Sequence, residues 1–107
     1  MGQPAVFPSF GCTKVQCDKD LDCSKRWKVK VFEDSANSAN WHVERQTCSK
    51  GWTSKNGAAP QYDNIKDPDQ YYQSIYHPSG NVTKTCWSCP AGPPMVLPQG
   101  PNIQYNY

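Results

Sequence analysis

The sequence holds one pair of cysteines at a spacing that is used in several kinds of chemistry. Residues 83–92 read TKTCWSCPAG, so that Cys86 and Cys89 enclose two residues. This spacing serves a dithiol redox centre, one half of a zinc site, or the ends of structural disulfides. A redox pair of the thioredoxin type needs a helix that begins at the motif, because the helix dipole lowers the thiol pKa. The prolines that follow Cys89 prevent such a helix, so a redox role is disfavoured.

A zinc site is also disfavoured, because zinc needs four ligands that usually come as two close pairs. Cys12 and Cys17 make only a loose second pair. The remaining interpretation is three disulfides. We assign them to the full set of cysteines, Cys12, Cys17, Cys23, Cys48, Cys86 and Cys89. Cysteines separated by only two residues rarely bond to each other without strain, so we predict that the last two have different partners. We expect residues 12–23 to be tied to the last strand, with Cys48 taking one of the remaining places.

Composition explains why such cross-links are needed. The chain has 107 residues, enough for one domain, and only 36% of them are hydrophobic. A domain of this size with so polar a composition has a thin core, whereas each disulfide adds roughly 3–4 kcal/mol. Six cysteines without a metal place the protein outside the cell, in an oxidising compartment. The acceptor motif Asn81-Val82-Thr83 predicts glycosylation there.

The beginning of the sequence does not resemble a secretory signal. The stretch MGQPAVFPSFG has no basic end and is interrupted by Pro4 and Pro8. We therefore expect Met1 to stand where a removed signal sequence ended. No apolar run approaches the ~20 residues of a membrane span, and we predict neither a membrane span nor a cofactor.

The charge distribution argues against nucleic acid as a partner. The net charge is +2, and aspartates interleave with lysines, so no sustained basic stripe is present. The basic run SKRWKVK is the exception. It fits either contact with an anionic surface, such as lipid headgroups or acidic polysaccharide, or a solvated strand face. Its candidate binding residues are Lys25, Arg26, Lys28 and Lys30.

Carboxylates at alternate positions raise the question of calcium. Asp18, Asp20 and Asp22 match the start of an EF-hand loop. The match then fails, because Cys23 takes the glycine position and Val29 the closing glutamate position. We interpret the run as a solvated loop and predict no metal site.

The chain has two histidines, His42 and His77, and histidine is the most common general acid or base. We place His42 and Glu44 on one face of a strand, on the solvent side of a hairpin. A strand-borne histidine and glutamate beside tyrosines is the equipment of small secreted ribonucleases, in which one group removes a 2′-hydroxyl proton and another protonates the leaving oxygen. With His77 they form the candidate catalytic set of the alternative function. On an exposed hairpin face, however, residues in this pattern are usually solvated polar side chains without a catalytic role.

Aromatic residues are the other candidates for binding. Trp52, in SKGWTSKNG, has no apolar neighbour in the sequence. It serves either as an exposed contact for a protein or a sugar, or as cover for a disulfide. Trp27 and Trp41 are expected to pack across the hairpin as core.

The elements that must position these residues can be read from local patterns. WKVKVFE alternates, with Trp27, Val29 and Val31 on one side, and WHVERQTC alternates after a polar loop, which predicts a hairpin over about 26–33 and 41–48. A short helix over about 68–76 is predicted from its Asp-Pro start, with an apolar face made of Tyr71, Tyr72, Ile75 and Tyr76. A third strand over about 82–88 follows a Ser-Gly turn. The predicted fold is a small disulfide-stapled α+β domain with an antiparallel sheet; the alternative is all-β.

The flanks differ from the body at 12–89. Residues 1–11 are predicted to be an extended segment. Residues 90–107 hold five of the ten prolines, which exclude a helix or a central strand, so we predict an extended tail. Its apolar residues favour docking on the body over a free tail.

The size, the cysteine number and the strand-rich core resemble, as a class, the small secreted cysteine-rich effectors and toxins of fungi and their viruses. The resemblance rests on no specific motif and names no family. It implies a secreted binding protein that acts on a protein or glycan target outside the producing cell, through exposed aromatic and basic residues. The alternative is a small secreted hydrolase, most plausibly a ribonuclease.

Overall fold

The structure is a computed structural model that describes Pro8, residues 11–54 and 62–91, and the short strands at 96–97 and 105–106. The side chains of 38–40 and of those two strands are not included. A six-stranded antiparallel sheet, one helix and three disulfides confirm the predicted disulfide-stapled α+β fold. The elements are β1 (Thr13–Val15), β2 (Arg26–Asp34), β3 (Asn37–Thr47), β4 (Gly51–Ser54), β5 (Tyr62–Ile65), α1 (Pro68–Tyr76), β6 (Val82–Pro90), β7 (Val96–Leu97) and β8 (Tyr105–Asn106).

The strand order in the main sheet is β1-β6-β2-β3-β4-β5, so that β2 lies inside the sheet between β6 and β3. The predicted hairpin is β2–β3, with Val31 opposite Val43. Its connection is tighter than the polar sequence indicated, because β3 already begins at Asn37 and leaves Ser35 and Ala36 as the turn.

A single buried carboxylate explains why the connection is tight. Asp34 accepts the backbone N–H groups of Ala36, Ser79 and Gly80 at 2.9–3.1 Å. It therefore joins the hairpin turn to the turn that precedes β6. Gly80 is required here, because a Cβ would lie 2.6 Å from the backbone nitrogen of Ala36.

Helix α1 begins and ends where its sequence predicts. The Asp67 side chain accepts the N–H groups of Asp69 and Gln70, and Pro68 occupies the first helical position. His77 ends the helix in the left-handed conformation, with φ of 46°. The helix packs on the sheet through Tyr72, whose ring stacks on Phe32 at a centroid distance of 4.8 Å.

The predicted apolar face of α1 is divided. We expected Tyr71, Tyr72, Ile75 and Tyr76 to share it. Only Tyr72 is fully buried, Tyr76 is half-buried, and Ile75 is 46% exposed. Because 3.6 residues complete a turn, positions 72 and 76 face the sheet while 71 and 75 lie to one side.

Strand β2 is covered on both faces, which differs from the predicted half-buried strand. One face contributes Val29 and Val31 to the core, which comprises Cys12, Val29, Val31, Trp41, Val43, Trp87 and Cys89. The other face was expected to be open, yet Phe32 is fully buried and Lys28 is only 8% exposed. Helix α1 and the segment around Cys17 cover that face.

The disulfides join Cys12 to Cys89, Cys17 to Cys86 and Cys23 to Cys48. Cys86 and Cys89 have different partners, as predicted. Since side chains alternate along a strand, three positions place these two cysteines on opposite faces of β6. The two bonds therefore hold β1 against β6 from both sides.

Three strands of the main sheet were missed in the sequence. Strands β1, β4 and β5 have three or four residues each, too few for an alternating pattern to be visible. In the tail, β7 pairs with β8 in a separate two-stranded sheet. Most of the predicted segments 1–11 and 90–107 lie outside the described residues, so docking of the tail stays a prediction.

The disulfide that closes the shortest stretch of chain allows a simple test. Cys23 and Cys48 are 25 residues apart, and the double variant Cys23→Ser/Cys48→Ser should lose about 3–4 kcal/mol of unfolding free energy, because the unfolded chain regains loop entropy. Urea denaturation under non-reducing conditions measures this. An unchanged midpoint and slope would show that the bond contributes nothing.

Candidate functional site

The sheet carries a group of polar side chains beneath helix α1, which we call the buried histidine cluster: His42, Glu44, Ser54 and Tyr76. His42 and Glu44 are neighbours on one face of β3, and Ser54 ends β4. The Ser54 hydroxyl lies 2.8 Å from His42 Nε2, and the Tyr76 hydroxyl lies 3.0 Å from His42 Nδ1. A neutral imidazole has one N–H group, so one hydroxyl accepts a hydrogen bond from the ring and the other donates one to it.

Burial sets the protonation of this cluster. His42 and Glu44 are fully buried. Burial lowers the pKa of His42 from 6.5 to about 3, so the ring is neutral at pH 7. Burial also raises the pKa of Glu44 from 4.5 to about 9, with Lys30 acting in the opposite direction and Asp69 and Asp67 adding to the rise. Both groups are therefore neutral at pH 7.

Glu44 has an unusual environment for a carboxyl group. Neither of its oxygens makes a hydrogen bond to the described residues. Its Oε2 lies 3.7 Å from His42 Nε2, which is too long for a hydrogen bond. The cluster thus holds one poorly satisfied acid beside a well-satisfied histidine.

This geometry does not support the ribonuclease alternative. We expected His42 and Glu44 on an exposed hairpin face, but helix α1 covers that face and both are fully buried, so a phosphodiester cannot reach them. His77 is exposed at the end of the helix. The candidate catalytic set is therefore divided between the interior and the surface.

The predicted basic residues are mostly used inside the fold. Arg26 donates to Ser88 Oγ, Ser88 O and Gly11 O. Lys28 Nζ donates to Cys17 O at 2.8 Å, and Lys30 Nζ lies 2.5 Å from Asp69. These three side chains join strands, loop and helix rather than form an open basic surface. Lys25 is exposed.

The ion pair between Lys30 and Asp69 holds helix α1 against the sheet. Asp69 also accepts from Lys84 on β6 at 2.5 Å. Burial alone would raise the pKa of Asp69, but the hydrogen bonds and charges of Lys30 and Lys84 outweigh it and lower the pKa. One carboxylate therefore anchors the first turn of α1 to two strands.

The structure gives Trp52 and Asn81 different degrees of exposure. Trp52 is half-buried in β4, opposite Gln46 on β3 and Ile65 on β5. It is a member of the sheet rather than a freely projecting side chain. Asn81 is exposed just before β6, where a glycosyltransferase has access, so its glycosylation stays a prediction.

The sites for metal ions that we considered in the sequence find no support in the fold. All six cysteines are in disulfides, so none is a thiolate ligand. Asp22 accepts from the backbone and the hydroxyl of Ser24, which lowers its pKa. Among residues 11–54 and 62–91, no three His, Cys, Asp or Glu side chains gather as metal ligands do.

A surface feature that the sequence did not reveal lies between β5 and α1. We call it the tyrosine cleft; it has a volume of about 390 Å³ and is lined by Tyr62, Asn64, Ile65, Lys66, Asp67, Gln70, Tyr71 and Ser74. The Tyr62 ring stacks on the Tyr71 ring at a centroid distance of 5.6 Å and an interplanar angle of 19°. Tyr62 is 60% exposed, the largest exposure of any bulky hydrophobic residue in the described part of the chain.

Sequence reasoning missed this cleft because its two tyrosines come from different elements. Tyr71 was assigned to the buried face of the helix, and Tyr62 lies in a strand that was not predicted. The helix sequence did contain a signal, because successive residues are turned by 100° about the helix axis. Of the apolar residues at positions 71, 72, 75 and 76, one pair must therefore lie at the edge of the contact between helix and sheet.

No family model matches the chain, and no curated protein or solved structure matches it either. In the described part of the chain, the single helix is too short and too polar to cross a membrane. The chain is therefore described by its own features: a small cysteine-rich α+β protein with three disulfides.

The buried histidine cluster predicts how stability depends on pH. Glu44 is neutral in the folded state up to pH about 9 but ionises near 4.5 when unfolded, so stability falls as pH rises from about 4.5 to 9. His42 becomes protonated near 6.5 when unfolded but only near 3 when folded, so stability falls as pH drops from about 6.5 to 3. Between about pH 4.5 and 6.5 the contributions of Glu44 and His42 change in opposite directions and cancel. The unfolding free energy should therefore be greatest in this range.

Two variants separate these contributions in urea denaturation across pH 3–9. Glu44→Gln should flatten the alkaline side, and His42→Asn should flatten the acid side, with slopes that change by at most about 1.4 kcal/mol per pH unit. A Glu44→Gln protein that loses stability above pH 6.5 as steeply as the unchanged protein would contradict the assignment of Glu44.

Proposed function

We propose that this chain is a secreted binding protein that recognises a target outside the producing cell through the tyrosine cleft. Three disulfides support the extracellular compartment, because such bonds persist only under oxidising conditions. The cross-linked sheet also supports the binding role, since a rigid surface loses little conformational entropy when a partner docks.

The observation that carries the proposal is the stacked pair of Tyr62, which is exposed, and Tyr71, which is half-buried. Tyrosine offers a large contact area with few rotatable bonds, which is why it is common at binding hot spots. Stacking on Tyr71 fixes the ring of Tyr62 in advance, so that its apolar face is available without further ordering. A partner that covered this ring would remove apolar surface from water, which is favourable.

The rim of the cleft supports recognition of a polar target. Asn64 and Gln70 offer amide groups, and Lys66 and Asp67 offer charges of both signs. An apolar centre within a polar rim is the usual anatomy of a protein-binding patch, and tyrosine faces also stack on sugar rings. Protein and glycan targets are both compatible with these groups.

The effector or toxin role extends this proposal. It is supported by the class resemblance in size, cysteine number and strand-rich core. Under this proposal the protein acts by occupying its target, with Lys25 as the accessible member of the predicted basic set.

The test measures binding of fluorescently labelled, disulfide-intact protein to intact target cells. Saturable binding is expected, and Tyr62→Ser should weaken it about tenfold or more, the loss typical of a hot-spot aromatic. Tyr62→Phe is the matched control, because it keeps the stacked ring and removes only the hydroxyl group. Treating the cells with protease or with glycosidases then identifies the class of target.

The proposal fails if binding is absent, or if Tyr62→Ser and Tyr62→Phe bind equally well. Because Tyr62 is mostly exposed, neither substitution should alter the thermal midpoint by more than a few degrees. A loss of binding that accompanied unfolding would therefore also count against the tyrosine cleft.

A further inference from the structure

A second cleft lies on the core face of the sheet, beside the Cys23–Cys48 disulfide. We call it the disulfide cleft; its volume is about 430 Å³, and its lining includes Trp27, Arg45, Thr47, Ser49 and Lys50. Trp27, Arg45 and Thr47 follow the alternation of β2 and β3, so they extend the side of the sheet that carries the core. The disulfide cleft and the tyrosine cleft share no lining residue.

The charge of this cleft has one sign. Among the described residues that line it, Arg45 and Lys50 are cationic and none is acidic. Next in sequence to the lining residues Cys23 and Ser24 is Asp22, which already accepts two hydrogen bonds from Ser24. A ligand in the cleft therefore meets two positive charges and no lining carboxylate, which favours an anion.

Arg45 is held in a fixed orientation. Its guanidinium lies over the Trp27 ring, with Cζ 4.0 Å from the ring centroid. A stacked guanidinium directs its N–H groups within its own plane, which is the geometry that matches a carboxylate or sulfate group. The stacking also occupies that face of Trp27.

The remaining polar groups match sugar hydroxyls. Thr47 Oγ1 accepts the backbone N–H of Lys50 at 3.1 Å, which leaves its own hydroxyl proton able to donate. Ser49 is exposed on the same turn and lines the cleft. Small hydroxyl groups beside two cations suit a ligand that carries both acid groups and hydroxyls.

We propose that the disulfide cleft binds an anionic saccharide, with Arg45 and Lys50 holding its carboxylate or sulfate groups and Thr47 and Ser49 contacting its hydroxyls. A volume of about 430 Å³ lies within the range of small-ligand sites. Lys50 is exposed, whereas Arg45 is buried at the base of the cleft with 7% of its surface accessible, so that under this proposal the two cations contact different depths of the ligand.

The experiment is isothermal titration calorimetry of the disulfide-intact protein with four probes: a galacturonate trisaccharide, a heparin-derived tetrasaccharide, maltotriose and inorganic phosphate. We expect one or both anionic saccharides to bind, with an affinity that falls as salt is raised. Maltotriose and phosphate should bind at least tenfold more weakly. The carboxylate and the sulfate probes together show which acid group is preferred.

Charge substitutions at Lys50 locate the site. Lys50→Gln should weaken saccharide binding about threefold, and Lys50→Glu about tenfold or more. Lys14→Gln and Lys14→Glu are the matched controls, because Lys14 is an exposed lysine on β1, at the opposite edge of the sheet. Both controls should bind within twofold of the unchanged protein.

The proposal would be overturned if maltotriose or phosphate bound as tightly as the anionic saccharides, or if the Lys14 and Lys50 substitutions had equal effects. It would also be overturned if none of the four probes bound. Tyr62→Ser should leave saccharide binding unchanged, so this proposal and the role of the tyrosine cleft succeed or fail separately.

Discussion

Two covalent bonds from the N-terminal segment to strand β6 set the frame on which the other elements are arranged. Cys12–Cys89 lies within the apolar core, and Cys17–Cys86 reaches the other face of the same strand. The bonds join residues 77 and 69 positions apart, contacts that a polar chain of this length would otherwise have to maintain through burial alone. With β6 fixed, β2 gains a partner along its whole length, and the hairpin β2–β3 follows.

The basic strand residues are paired inside the fold because the sheet is covered on both faces. Lys28 and Lys30 lie on the face that helix α1 and the Cys17 segment cover, so their charges are satisfied by Cys17 O and by Asp69. Long lysine side chains can bury their methylene groups and still place the ammonium near a partner. The same side chains that appear in the sequence as a surface for anions thus fasten the layers together.

The buried histidine cluster includes a group whose burial opposes folding. A buried acid without hydrogen bonds is costly, and this one tolerates burial by remaining protonated. Hydroxyl groups from two other elements hold the neighbouring histidine, so helix and sheet are linked by polar contacts as well as by aromatic stacking. The cluster therefore belongs to the architecture, and the recognition that we propose involves the surface clefts at β5–α1 and beside Cys23–Cys48 instead.

Local sequence determined the elements whose signals are local. Asp67 and Pro68 fixed the start of the helix, and alternation over seven or more residues fixed strands β2 and β3, because capping and pleating act between near neighbours. Alternation reveals which side chains share a face, but not whether a second layer will cover it. The burial of His42 and Glu44, the use of Lys28 inside the fold and the short strands β4 and β5 were therefore decided only by tertiary packing. The two clefts also depend on that packing, since each joins side chains from segments far apart in the chain.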